Sequence, residues 1–475
     1  MSLLSRVLVI LLGVLLLASG QPAQARDAGP LAASVALESG SQSQLVAKPR
    51  VNAPYFDGTI RTAEMAVFWF GQVTAATNSV DVRVGYRQED LEVRLSVMDR
   101  RLWYDPAASP GEQTAWDSAT LYINTDGDTA SAPDAHSYRF DAQLTWWEDR
   151  APYQAAFQGN GSGWSAASTP FTTRTGYRGD EPNNNGDDRG WNLYYTIPFS
   201  ALGVNQPPPP GAVWGMGLVL HDRDDGGRPP LPDQAWPPSL VPSRPATWGQ
   251  LFFGTPTYSP PLANPGGTVT IRHGLNGATV VDADVGGSST CGQAASPDFF
   301  PTWGNLNYAG RQWLNIQNMG DVADWPCFSK YYVTFPLQAL PSGAVIISAT
   351  LVLHQFGNAG QGWEPGPQPS LIQVFTVGDD WAESTLTWNS APLALENVSA
   401  AWVDPLEDAP PPFEIQGDAL QQGAEQVATG VRLADPEPGA RLVGMLQRRA
   451  PPRQGEQTLA AGGHVGGLVA EQRLD

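Results

Sequence analysis

The sequence predicts an all-β protein: two antiparallel β-sandwich domains joined by a Pro/Gly linker. Three observations predict it. Segments in which apolar and polar residues alternate recur from about residue 52 to 405, separated by short polar turns. No amphipathic patterns of helical period alternate with them, which argues against a parallel α/β sheet. Glycine and proline are abundant, at 50 and 43 residues, as suits a chain of many turns.

From the N-terminus, Arg6 is followed by the apolar run Val7–Leu17, which is too short to span a bilayer. Ala23-Gln24-Ala25 then supplies small residues at the spacing of a cleavage site. Residues 1–25 are expected to be a signal peptide. The mature chain is then secreted, extracellular or at the cell surface, with no membrane anchor after cleavage. The net charge of −20 argues against nucleic acid and anionic membranes as partners. In an oxidising compartment the only two cysteines, Cys291 and Cys327, can form one disulfide; two separate buried thiols are the alternative.

Residues 26–51 are small, polar and aperiodic, as in a linker. In "SVDVRVGYR", Val80, Val82, Val84 and Tyr86 face one way, and Asp81, Arg83 and Arg87 the other. A polar turn at Gln88-Glu89-Asp90 leads into "LEVRLSVMD", which repeats the pattern and predicts a half-buried antiparallel hairpin. "SATLYIN", "SYRFDAQL", "WNLYYTIPF" and "VWGMGLVLHD" continue it, with Trp191 and Trp214 as core positions. "TWGQLFFG" closes a first domain over 52–254. The Pro/Gly stretch 255–267 is a second linker. "SKYYVTFPL", "AVIISATLVLHQF" and "LIQVFTV" then predict a second domain over 268–405. Residues 406–475 hold almost no aromatic residue and are expected to form a mostly disordered tail.

Catalytic signatures are missing: there is no HExxH, no G-x-S-x-G and no phosphate-binding glycine loop, and no catalytic residue is assigned. "YINTDGDTASAPD" offers Asn124, Asp126, Asp128 and Asp134 as oxygen ligands for a structural calcium ion. A solvated Asp/Gly turn is the simpler reading. "HDRDDGG" (221–227) is a second acidic turn, with an Arg223 ion pair as its simpler reading. Among the tryptophans, Trp103 follows a strand and Trp236 lies in a Pro-rich loop. Trp146 and Trp147 are adjacent, so in a strand one of them faces outward. Such rings can stack on pyranose faces while nearby polar groups bond the hydroxyls.

The first domain resembles family 9 carbohydrate-binding modules and their DOMON-like relatives. The resemblance rests on "YFDGTI", "LEVRLSVMDRRLW", "AWDSATLYINTDGD", "GWNLYYTIPFSALG", "GAVWGMGLVLHDRDD" and "ATWGQLFFG", in that order. It implies a β-sandwich, often with structural calcium, and a sugar held between aromatic side chains. The second domain resembles DNRLRE-type modules, of carbohydrate-binding module family 96. Here the matching residues are "SKYYVTFPLQALPSGAVIISATLVLHQF" and "VFTVGDDWAESTLTWNSAP". Its recognisable pattern stops near "AWVDPLED", so this module is expected to be incomplete. Trp381 and Trp388 differ in parity, and a continuous strand would turn them to opposite faces.

The expectation is a non-catalytic, carbohydrate-binding secreted protein engaging polysaccharide through aromatic platforms. The alternatives are a structural or adhesive envelope protein and, less favoured, a polysaccharide-degrading enzyme of unrecognised type.

Overall fold

The computed structural model describes residues 48–108, 111–127, 130–146, 148–256, 267–287, 299–311, 313–316, 322–340, 345–355, 358, 368–378, 380–407, 424–429, 441–448, 459–462 and 468–473. The expected signal peptide, Asp128, Trp147 and Cys291 lie outside the described residues. Among the described residues, no helix is long and apolar enough to cross a membrane.

The chain is all-β. The first module holds β1 (Arg50–Ala53), β2 (Ala66–Gly71), β3 (Ser79–Tyr86), β4 (Asp90–Met98), β5 (Ser118–Asn124), β6 (Ser137–Gln143) and β7 (Gln154–Gly159). It continues with β8 (Trp164–Ala167), β9 (Thr172–Arg178), β10 (Gly190–Pro198), β11 (Val213–His221), β12 (Gln234–Trp236) and β13 (Gly249–Phe253). The second contributes β14 (Gly267–Ile271), β15 (Val281–Gly286), β16 (Trp313–Ile316), β17 (Ser329–Thr334), β18 (Val345–Gln355), β19 (Ser370–Val377) and β20 (Ala394–Val403). The last four are β21 (Ala424–Thr429), β22 (Arg441–Arg448), β23 (Leu459–Gly462) and β24 (Leu468–Arg473).

Two sheets make the first sandwich. One runs β2-β3-β4-β10-β9; the other runs β1-β13-β11-β5-β6-β7-β8, with β12 beside β11. The alternating residues read from the sequence fill the space between them: Val80, Val82, Val84, Leu91, Val93, Leu95 and Trp191 are all buried there. β10 ends at Pro198, which has no N–H for the ladder. β1 pairs in parallel with β13 and also with β20, so the second sheet continues into the second module as β20-β19-β22-β17-β15. A third sheet, β14-β24-β18-β23-β16 with β21 beside β18, covers the other side of the second core.

The described residues of 406–475, the stretch expected to be a mostly disordered tail, include four strands. β22 lies between β17 and β19, and β21 and β24 pair with β18. The physical reason is edge completion: unpaired N–H and C=O groups on those body strands are satisfied by short segments such as RLVGMLQR. The β3–β4 hairpin forms in antiparallel register as expected, but it is not half-buried. Every residue of β3 is buried, because the second module covers the polar face.

That cover is itself a core. Val67, Trp69, Val73 and Met98 of the first module pack with Phe300, Trp303, Trp325, Tyr332, Phe375 and Trp388 of the second. Lys330, one of two lysines in the chain, is buried here with Nζ 4.2 Å from the Trp69 ring centroid and 3.4 Å from that of Trp388. Three side-chain amides of the second module bond backbone groups of the first, each as donor and acceptor. Asn397 accepts from Asn52 N (2.7 Å) and donates to Asn52 O (3.0 Å). Gln373 accepts from Val67 N (3.3 Å) and donates to Met65 O (2.7 Å). Asn389 accepts from Val73 N (2.8 Å) and donates to Val73 O (3.0 Å). The segment carrying Trp381 and Trp388 is a 3-10 turn and loop rather than a strand. Trp388 is buried and donates to Ser79 Oγ, while half-buried Trp381 packs on Tyr332.

Candidate functional site

Four aspartates that are far apart in sequence meet at one end of the first sandwich. Asp99 follows β4, Asp117 precedes β5, and Asp222 and Asp224 follow β11. Asp99, Asp222 and Asp224 each bring a carboxylate oxygen within 4.8 Å of the others. Asp99, Asp117 and Asp222 are at most 2% exposed. Burial first, and then the charge of neighbouring carboxylates, raises the Asp99 and Asp117 carboxyls well above the usual range. The same causes push Asp222 up to about 7, and burial alone raises Asp224 against the charges of Arg101 and Arg100. The nearest cations are already engaged: Arg100 and Arg101 both pair with Asp187, at 2.8 and 2.7 Å.

Like charges crowded this closely, away from water, require either protonation or a counter-cation. The donor set tests which cation fits. Asp99 Oδ2 and Asp222 Oδ1 are buried and have no hydrogen-bond partner. The available ligands are all hard, anionic oxygens, the chemistry of a calcium ion or a similar hard divalent cation. A cation there would invert the local electrostatics and hold the carboxylates ionised.

Two of these aspartates, Asp99 and Asp117, order the loop after β4 together with Asp188 and Asn183. Four successive backbone N–H groups each donate to a side-chain oxygen. Arg101 donates to Asp99 (2.9 Å), Leu102 to Asp188 (3.2 Å), Trp103 to Asp117 (2.7 Å) and Tyr104 to Asn183 (2.8 Å). Asn183 sits at φ +64°, tolerated by asparagine, and returns its own N–H to Leu102 O. Burial pushes Asp188 up to about 7. The loop therefore leads from the acidic cluster to an aromatic group. The Tyr104 hydroxyl donates to Glu148 Oε1 (2.7 Å), and Trp146 N donates to Glu148 Oε2 (3.0 Å). The half-buried Trp146 ring meets Tyr177 edge to face, with centroids 6.2 Å apart. Arg150 lies beside them with a buried Nη2 that has no partner, and burial lowers its guanidinium to about 10.

The residues expected from sequence are placed as follows. Trp103 is half-buried, its ring wedged against Gly226, where a Cβ would come within 2.6 Å. Trp236 is only 1% exposed and packs on Phe68, with centroids 4.1 Å apart, so it is a core residue and presents no face to a ligand. Trp146 is half-buried at the surface. The expected calcium loop is knit as a turn. Asp134 Oδ1 accepts from His136 N and Ser137 Oγ, Asn124 donates to Ser137 Oγ, and Asp126 is exposed. Cys327 is buried and is not a free thiol; its expected partner lies outside the described residues.

Sequence reasoning ranked the acidic turn 221–227 second, with an Arg223 ion pair as its simpler reading. Arg223 instead donates Nε to Ala115 O and lies 4.5 Å over Trp116, leaving Asp222 and Asp224 to the cluster. The signal that could have found the site was present. Asp99, Asp117, Asp222 and Asp224 all lie in the segments that carry the family 9 resemblance.

No family model matches the chain, and no curated protein matches it. Solved structures do. A family 9 carbohydrate-binding module from Caldicellulosiruptor kristjanssonii, in complex with cellotriose, is 12% identical; the match covers 46% of this chain and 99% of that one, at a TM-score of 0.30. The module in complex with glucose is 14% identical, covering 45% and 100%, at 0.30. A candidate carbohydrate-binding protein from Bacteroides uniformis is 13% identical, covering 43% and 99%, at 0.33. Likeness at this level carries nothing about a ligand of this chain.

Proposed function

We propose that the chain is a secreted, non-catalytic carbohydrate-binding protein whose first module engages polysaccharide. The observation that carries this reading is the aromatic group of Trp146 and Tyr177 beside Glu148 and Arg150. Aromatic faces exclude water from the apolar side of a pyranose ring, and adjacent charged and amide groups bond its hydroxyls. The proposal includes a structural calcium ion held by Asp99, Asp222 and Asp224, with Asp117 behind them. Its part is to hold these carboxylates ionised, so that Asp99 and Asp117 keep accepting the N–H groups of Arg101 and Trp103. It also includes a Cys291–Cys327 disulfide, suited to the exported compartment.

The test is retention of the full mature chain on neutral and acidic polysaccharides, with and without EDTA, beside Trp146→Ala. Retention by the wild type, weakened by EDTA and lost in Trp146→Ala, supports the reading. A folded wild type retained by no polymer refutes it. That outcome favours a structural or adhesive envelope protein, for which the specific observation is the deep interface joining the two modules.

A further inference from the structure

Arg223 lies between two of the proposed cation ligands, Asp222 and Asp224, in the turn after β11. Its guanidinium donates to backbone oxygens of two segments. Nε donates to Ala115 O (2.7 Å), two residues before Asp117. Nη1 donates to Arg228 O and faces Asp225 O and Gly226 O at 3.4 and 3.5 Å. The backbone of the same residue bonds the cluster directly: Arg223 N donates to Asp117 Oδ1 (2.8 Å). Cζ lies 4.5 Å over the ring of Trp116, the neighbour of Asp117. One residue therefore ties the turn that carries Asp222 and Asp224 to the segment that carries Asp117.

The other bonds of this turn stay within it. Leu231 N donates to Asp222 O (2.8 Å), Arg228 N to Asp225 O (3.2 Å) and Gly227 N to Asp225 Oδ1 (2.7 Å). They close the turn but do not fix where it stands relative to residues 115–117. A guanidinium suits that task, because its planar fork serves separate acceptors at once, which a single ammonium group does not.

We infer that Arg223 is a positioning residue for the cation site, holding Asp222 and Asp224 in place by tying their turn to the Asp117 segment. This rests on the proposed cation at Asp99, Asp222 and Asp224. The unpartnered, buried oxygens of Asp99 and Asp222 point to that cation independently of the bonds made by Arg223. The two ways in which Arg223 can act on the site have opposite signs. As a positive charge it repels a cation, so its removal would strengthen binding. As a brace it preorganises the ligands, so its removal weakens binding.

A matched control exists in the same turn. The Arg228 side chain is exposed and pairs with Asp225 at 3.3 Å, while its carbonyl, which a side-chain substitution leaves in place, is what meets Arg223. The experiment measures calcium affinity of the full chain by isothermal titration calorimetry for wild type, Arg223→Ala, Arg223→Lys and Arg228→Ala, each checked for folding by far-UV circular dichroism. Terbium, bound in place of calcium, gives a second readout. Its luminescence lifetimes in H2O and D2O count the waters on the ion, and a carboxylate that swings away is replaced by water. Arg223→Ala is expected to weaken calcium binding about tenfold, the lower end for a residue that supports a ligand, and to leave more water on terbium. Arg223→Lys, which keeps the charge but not the fork, moves both readouts in the same direction. Arg228→Ala removes an equal charge and leaves both as in wild type. Wild-type or tighter binding in Arg223→Ala overturns the inference. So does an equal loss in Arg228→Ala, which would report the turn's charge in general. If Arg223→Ala does not fold, wild-type affinity and hydration in Arg223→Lys overturn it. A wild type that binds no calcium overturns the cation reading itself, a result separable from the others.

Discussion

The proposed cation at the acidic cluster carries a testable consequence: its removal should make the protein's stability fall as pH rises. In the cation-free state the Asp222 carboxyl titrates at about 7 rather than near 3.8. Asp99 and Asp117 are raised for the same reason, burial among like charges, and Asp224 by burial. A raised carboxyl binds a proton in the folded state that the unfolded state lacks. Its stabilisation is complete below the unfolded value and is lost as pH rises through the folded one. The window is therefore about pH 4 to 7. At about 1.4 kcal/mol per pH unit, ionising Asp222 alone costs the fold about 4 kcal/mol. With an unfolding entropy of about 2.1 cal/mol/K per residue, that is about 10 °C for a module of about 200 residues, and about half that if both modules melt as one. On the proposed reading, calcium would cancel the cost by pairing the charges. The assay is differential scanning calorimetry of the full chain in calcium and in EDTA, at about pH 5 and about pH 7.5. The expected gap between calcium and EDTA is small at the lower pH and about 5 to 10 °C at the higher. A melting temperature that EDTA leaves unmoved at the higher pH, with EDTA stability flat between the two, would refute the electrostatic reasoning.

Trp236→Ala removes a buried ring packed on Phe68, and a loss of about 3–5 kcal/mol in urea unfolding is expected. Polysaccharide retention per folded molecule should not change; a selective loss of retention would contradict its placement in the core. Lys330, buried between Trp69 and Trp388 beside Asp81, is held well below the ordinary lysine range by burial. Above its folded value and below about 10.5, the unfolded chain binds a proton that the native chain lacks, so stability from this group rises with pH. Lys330→Met should flatten that rise in alkaline thermal melts compared with wild type. Parallel profiles for the two proteins would show that Lys330 stays charged in the fold.

What the sequence by itself determined is local. Alternation in "SVDVRVGYR" and "LEVRLSVMD" specified β3, β4 and their inward faces, because a pleated strand turns successive side chains to opposite sides. Trp191 and Trp214 were legible as core in the same way. Composition and turn residues implied a chain of sandwiches.

Tertiary structure decided what local pattern does not contain. Period-two alternation marks two faces of a strand but not what lies on the outer one. Asp81 and Arg83 therefore read as solvent-facing, and are buried under the second module. A tryptophan in a Pro-rich loop reads as a platform until the loop folds inward, as at Trp236. The acidic site joins residues 99, 117, 222 and 224, and no spacing rule spans such separations. What makes those carboxylates a site is their shared removal from water at one end of the sandwich, a property of how the strands are connected rather than of any segment.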